Sequence, residues 1–292
     1  MDSHKKVAVF VLLGQSNAVG HDVPMDEVDM IREPLKNVFG LKRSDNQSFD
    51  IKNIVWSGYT SGGMNLGEEQ DDTYSVSNCL AKCWQAEIDN GNENNLPDLY
   101  IVHIAIGAQG VSKNCMWYPE REKILVPGKL GEVNISLYPF TVHIMSMLND
   151  SFDKVGVTPE YVGVHWRGGE QEYSPTTGNI DNLKSIYETI FGGIMKAADC
   201  KMPIVLHKLV CRDRCAEEEF FKRMTYINNV FEQLCAEQEN ISIFDTTRAP
   251  HFIEDVVGNG LFKADKVHYT AETNKWVAEE ILNDYKKRQL IF

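Results

Sequence analysis

VAVFVLLGQSNAVG, residues 7–20, joins seven consecutive apolar residues, Val7 to Leu13, to a glycine and three small or polar residues. A short, unbroken apolar run bounded by glycine reads as a strand covered on both faces. Gly14 ends the run, and Gln15, Ser16 and Asn17 follow at a strand-to-helix turn. In an open α/β sheet that carboxyl edge is where ligands bind. A serine at such a turn is either a nucleophile or a helix cap, and the stretch alone does not choose between them.

Working outward, five more strand-like segments follow: Asn53–Ser57, Leu99–Ile106, Tyr161–Trp166, Pro203–Val210 and Ile241–Phe244. Helical periodicity separates them over Tyr74–Asp89, Asn134–Phe152, Ile180–Ala198 and Ala216–Gln238, and Ala271–Lys286 closes the chain as an amphipathic helix. His21–Asn53, Gly58–Thr73 and Val111–Val133 read as loops or irregular segments. Strands alternating with helices predict an α/β fold, a three-layer α/β/α sandwich around a parallel sheet of about five or six strands. No repeat or composition break divides residues 1–292, so one domain is expected.

The chain has 292 residues, 43% of them hydrophobic, and a formal net charge of −13. That charge speaks against nucleic acid or an anionic membrane surface as a partner. No apolar run reaches the roughly 18 residues that span a bilayer. MDSHKK leads straight into the first strand without a signal-like segment. Seven scattered cysteines fit a reduced, cytoplasmic setting better than a disulfide framework. His207, Cys211 and Cys215 are the nearest approach to a metal set, but their spacing is not that of a zinc site, and no metal is expected.

In a parallel sheet the loops after the strands share one edge. They begin at Gly14, Gly107 and Arg167, and the segment after the last strand carries Ala264–Tyr269, ADKVHY. Asp265 and His268 stand three apart there, a spacing at which the carboxylate can fix the imidazole tautomer and leave the ring free to take a proton from a serine. Taken singly, Asp265 reads as an exposed loop carboxylate and His268 as a surface histidine. Beside Ser16 they read as a Ser-His-Asp set.

Four blocks in order, Gly14-Gln15-Ser16-Asn17, Gly107-Ala108-Gln109-Gly110, Trp166-Arg167-Gly168-Gly169-Glu170 and Asp265-Lys266-Val267-His268, make the chain resemble the SGNH-hydrolase superfamily, in its carbohydrate acetylesterase and sialate O-acetylesterase branch. The resemblance runs from residue 7 to about the end of the chain. It implies a flavodoxin-like α/β/α fold and hydrolysis of an ester, most often an acetyl group on a sugar, without metal or organic cofactor. Ser16 would be the nucleophile, His268 the base and Asp265 its orienting partner. The oxyanion would be held by the N–H of Ser16, by an N–H at Gly107 or Gly110, and by a side-chain amide in the third block. Gln15, Asn17, Gln109, Glu170 and Trp117 would surround a small-molecule or carbohydrate ester.

The chain departs from the family pattern where it matters chemically. Gly168 stands where the family has glutamine, and an oxyanion donor that is not replaced costs roughly a hundred- to a thousandfold in rate. Arg167, Gln171 and Gln109 are the candidate replacements. Two other functions therefore stand beside the esterase: a carbohydrate-binding or structural protein of the same fold with little turnover, and an O-acyltransferase. The identity of the ester and the oligomeric state are not encoded in these motifs.

Overall fold

The computed structural model describes residues 5–41, 55–68, 72–91, 95–120, 125–128, 131–134, 136–174, 178–210, 218–254 and 258–289. Its centre is the first strand, β1 (Lys5–Gly14). Val7 through Leu13 are fully buried, because the residues alternate between two cores. Val7, Val9, Val11 and Leu13 enter one cluster and Ala8, Phe10 and Leu12 the other. Each buried Val, Leu or Phe contributes about 1.5–3 kcal/mol over its exposed state.

The remaining strands are β2 (Val38–Leu41), β3 (Trp56–Gly58), β4 (Leu99–Ala105), β5 (Leu125–Gly128), β6 (Gly131–Asn134), β7 (Val157–Arg167), β8 (Ile204–His207) and β9 (Ile241–Phe244). Seven form the main sheet, in the order β3-β2-β4-β1-β7-β8-β9. β2, β4, β1, β7, β8 and β9 run parallel; β3 is antiparallel at one edge. β5 and β6 pair as a separate antiparallel ribbon.

α1 (Ser16–Val19) follows β1, α2 is Val76–Asp89, α3 Leu137–Val155, α4 Glu170–Tyr173, α5 Leu183–Ala197, α6 Glu218–Glu237 and α7 Ala271–Gln289. α3, α5 and α6 pack on the Val7 face, through Leu148 and Phe152, Tyr187 and Ile190, and Phe231 and Leu234. α2 and α7 cover the Phe10 face, through Leu80 and Trp84 and through Val277 and Ile281. The result is the expected α/β/α sandwich.

Three local expectations change. The segment 21–53, read as loop, contains β2, which pairs with β4. The second strand, expected at Asn53–Ser57, is β3 at Trp56–Gly58, with residues 51–54 outside the described ones. The irregular segment 111–133 carries most of the β5–β6 ribbon. None of the described helices is long and apolar enough to cross a membrane.

Candidate active site

The sheet register brings three of the four blocks together. Gly14, the last residue of β1, pairs with Ala105 on one side and Arg167 on the other. β1 is also where the strand order changes direction, the position at which open α/β sheets bind ligands. Gly14 has φ +143, and a Cβ there would lie 2.0 Å from the Arg167 carbonyl oxygen, so only glycine fits. The Trp117 indole N–H donates to the Gly14 carbonyl at 3.0 Å.

Asn17 joins this turn to the fourth block. Its side-chain N–H donates to the Val267 carbonyl at 3.1 Å, and its side-chain oxygen accepts the Tyr269 N–H at 3.2 Å. One amide thus brackets His268 on both sides. The same Asn17 amide nitrogen lies 2.6 Å from Glu170, whose other oxygen accepts from Gln15 at 2.7 Å. Beneath the turn, the buried Arg167 donates to the Asn17 carbonyl at 3.0 Å and to Asn274 at 2.8 Å, with its guanidinium over the Tyr269 ring.

Asp265 and His268 form a dyad. Nδ1 of His268 is 2.8 Å from Oδ2 of Asp265, while Oδ1 accepts the N–H groups of Val267 and His268. Partial burial pushes the Asp265 carboxyl up, but the bonds from His268 and Val267 outweigh it and hold the group below its usual range. Asp265 therefore stays ionised and fixes the ring tautomer. Ser16 is 8% exposed, and its hydroxyl has no hydrogen-bond partner among the described residues. Catalytic serine–histidine bonds are often formed only when substrate closes the site.

The expected oxyanion donors need correction. The Gly107 N–H donates to Oε2 of Glu68 at 2.8 Å, so a carboxylate already holds it. Gly168 is buried with no side chain to offer, and its carbonyl accepts from the Trp166 indole. Arg167 is buried beneath the turn with Nη1 on Asn17 and Asn274, while its Nε and Nη2 have no hydrogen-bond partner among the described residues. Gln109 uses its side-chain oxygen to accept the Met116 N–H at 3.2 Å. Gly110 faces the buried Glu172 carboxylate: a Cβ there would lie 2.1 Å from Oε1.

Trp117 cannot offer a stacking face to a sugar. It is fully buried, edge-on to Trp166 with ring centroids 5.0 Å apart. Gln15 and Asn17 are likewise buried and spend their amides on Glu170. Of the three residues nearest to a metal set in the sequence, Cys211 and Cys215 lie outside the described residues, and His207 pairs with His165 at 3.0 Å. Asp22, Asp265 and His268 place ligand atoms within 4.8 Å of one another, but two of the three are the dyad itself.

Two residues at the site escaped the sequence reading. His21 contacts Gly107 and sits 3.0 Å from Oε1 of Glu68. Both lie in stretches read as polar loop. The one available signal was position: His21 immediately follows Gly20, the left-handed residue that ends the serine-bearing turn.

No protein-family model matches the chain, and no curated protein matches it in sequence. Solved structures do match. NanS superimposes with a TM-score of 0.63 at 13% identity, covering 98% of this chain and 100% of its own. A protein from Arabidopsis thaliana gives 0.57 at 14% identity, covering 95% and 98%. An acetyl xylan esterase from Geobacillus stearothermophilus gives 0.48 at 10% identity over 96% and 95%, too distant to inform chemistry. In its mostly parallel sheet, its two helix layers and its likeness to NanS and the Arabidopsis protein, the chain has the three-layer α/β/α fold that those two proteins share.

Proposed function

We propose that the protein is a serine esterase, acting on O-acetyl groups of a carbohydrate with Ser16 as nucleophile, His268 as base and Asp265 as its orienting partner. The observation that carries this reading is the pair of hydrogen bonds, Asn17 donating to the Val267 carbonyl and accepting from the Tyr269 N–H, that ties the loop carrying His268 to the serine turn. In the first step His268 accepts the Ser16 proton as Oγ bonds to the ester carbonyl carbon. The carbonyl π pair moves to oxygen, which becomes the oxyanion. Collapse expels the sugar oxygen, which takes the proton from His268. Water then repeats the sequence: its oxygen bonds to the acyl carbon, its proton passes through His268 to Ser16, and the carboxylic acid leaves. The acetyl and sugar specificity rests on the motif resemblance, and an acyltransferase would differ only in a hydroxyl replacing that water. Among the described residues, Cys79, Cys83, Cys200 and Cys235 stand in no disulfide, in keeping with a reducing, cytoplasmic setting.

Release of p-nitrophenol from its acetate tests the reading. Ser16→Ala is expected to lower the rate at least a thousandfold, and to abolish labelling by a fluorophosphonate probe. Equal rates for the two proteins exclude a serine esterase. The absence of a side chain at Gly168 favours the second reading, a sugar-binding protein with little turnover. Gly168→Gln separates them. Its Cβ would sit 3.2 Å from the Trp166 ring, a contact that a shift of a few tenths of an ångström relieves. A gain in turnover of about tenfold or more marks an esterase short of one donor. Sugar binding with no turnover in either protein marks the binding module.

A further inference from the structure

Beside Asp265–His268 stands a second carboxylate–histidine pair whose role the motifs do not assign. His21 is tied to the nucleophile's turn through its backbone N–H, which donates to the Ser16 carbonyl at 3.1 Å. Its ring lies against Gly107, where a Cβ would meet Cε1 at 2.5 Å and Nε2 at 2.9 Å; the glycine makes room for the imidazole. Nε2 is 3.0 Å from Oε1 of Glu68, and the other Glu68 oxygen accepts the Gly107 N–H at 2.8 Å. The carboxylate is thus held at two points and fixes the ring. The His21 and His268 rings have their centroids 6.1 Å apart.

The site needs an anion-stabilising group where Gly168 lacks an amide, and the Gly107 N–H is spent on Glu68. Arg167 is buried beneath the serine turn, with Nη1 on Asn17 and Asn274. We propose that His21, as an imidazolium paired with Glu68, supplies the missing stabilisation of the oxyanion, with Glu68 as its positioning residue. The step transfers no proton through His21. Negative charge develops on the ester oxygen, and the fixed positive ring stabilises it in a site where little reorganisation is needed. The inference rests on the serine-esterase reading. The titratable groups near His21 are Glu68 from the loop before α2, His268 from the loop before α7 with Asp265 behind it, and the adjacent Asp22. Asp22 lies 3.8 Å from His268, and its carbonyl accepts from Lys263.

Loss of the proton from His21 removes this stabilisation, so kcat/KM is expected to fall on the alkaline side through a basic limb that belongs to His21. Turnover of p-nitrophenyl acetate is measured from pH 5 to 10 for the full chain and for Ser16→Ala, His21→Ala, His21→Arg and Glu68→Gln. If Ser16→Ala equals the parent protein, the esterase reading itself fails. If turnover depends on Ser16, three results support His21. His21→Ala loses about a hundredfold in kcat, His21→Arg keeps activity at alkaline pH where the parent has lost it, and Glu68→Gln moves the basic limb to lower pH. His21→Ala turning over at the parent rate, or a basic limb unchanged in His21→Arg, overturns the proposal. Should His21→Ala fail to fold by circular dichroism, the comparison of parent with His21→Arg decides alone.

Discussion

Asn17 illustrates how much one side chain holds in this protein. Its amide satisfies Glu170, the Val267 carbonyl and the Tyr269 N–H, all inside the molecule. Asn17→Ala leaves these partners unpaired, and each such loss costs about 1–3 kcal/mol. The variant is expected to be destabilised by about 2–4 kcal/mol in denaturant unfolding, with a larger fractional loss of kcat than of substrate binding, because the base and not the ligand is displaced. A variant as stable as the parent with unchanged kcat contradicts the bracing role. Asp265 and His268 were legible because they act across three residues, within one turn of chain. His21 and Glu68 were not. They stand 47 residues apart and meet Gly107 only because β1 and β4 are neighbours. Trp117 misled for a related reason: an aromatic residue in an irregular stretch reads alike whether it faces solvent or, as here, props up Gly14.

Among elements, β1 was the easiest to read and the least replaceable. Both faces are covered, so its apolar run is continuous and needs no alternation to be recognised. β2, with the sequence VFGL, was missed because it is four residues long and carries Gly40 within a polar stretch. Gly40 lies close under its neighbours, where a Cβ would come within 2.9 Å of the Met64 sulfur and 3.0 Å of the Tyr59 ring. The hinge between β1 and α1 is where fold and chemistry meet. Gly14→Ala places a methyl group into the Arg167 carbonyl at a positive φ. It is expected to cost about 2–5 kcal/mol and to reduce fluorophosphonate labelling of Ser16 together with stability. Retention of full labelling in a destabilised but folded variant would show that the turn's geometry is not what activates the serine.

At the scale of the whole molecule, buried titratable groups set how stability follows pH. Burial raises the Glu172 carboxyl from 4.5 to about 7, against the opposing bonds from Ser112 and Val111. A folded pKa above the unfolded one gives stability that is fully present below pH 4.5 and is lost as pH rises through 7. The full difference is on the order of 3 kcal/mol. Burial lowers His103 and His165 to about 3 and holds His207 well below its usual value. Stability from these three is present above the ordinary histidine range and is lost as pH falls below it. The two trends oppose each other in mildly acid solution, so the Glu172 contribution is read by difference. Relative to the parent protein, Glu172→Gln should gain thermal stability steadily between pH 4.5 and 7, and a difference independent of pH would refute the assignment.

The Asn17 brace also has a consequence for the order in which the molecule is made. Val267 and Tyr269 lie 250 and 252 residues further along the chain than the amide that holds them. Closing so long a segment carries an entropic cost that only the finished sheet and the docked α7 offset. A growing chain therefore displays its serine long before the histidine that would activate it exists. On the proposed esterase reading, a reactive serine appears only once the chain as far as Tyr269 has been made and folded onto the β1 turn, and its appearance marks the docking of that loop.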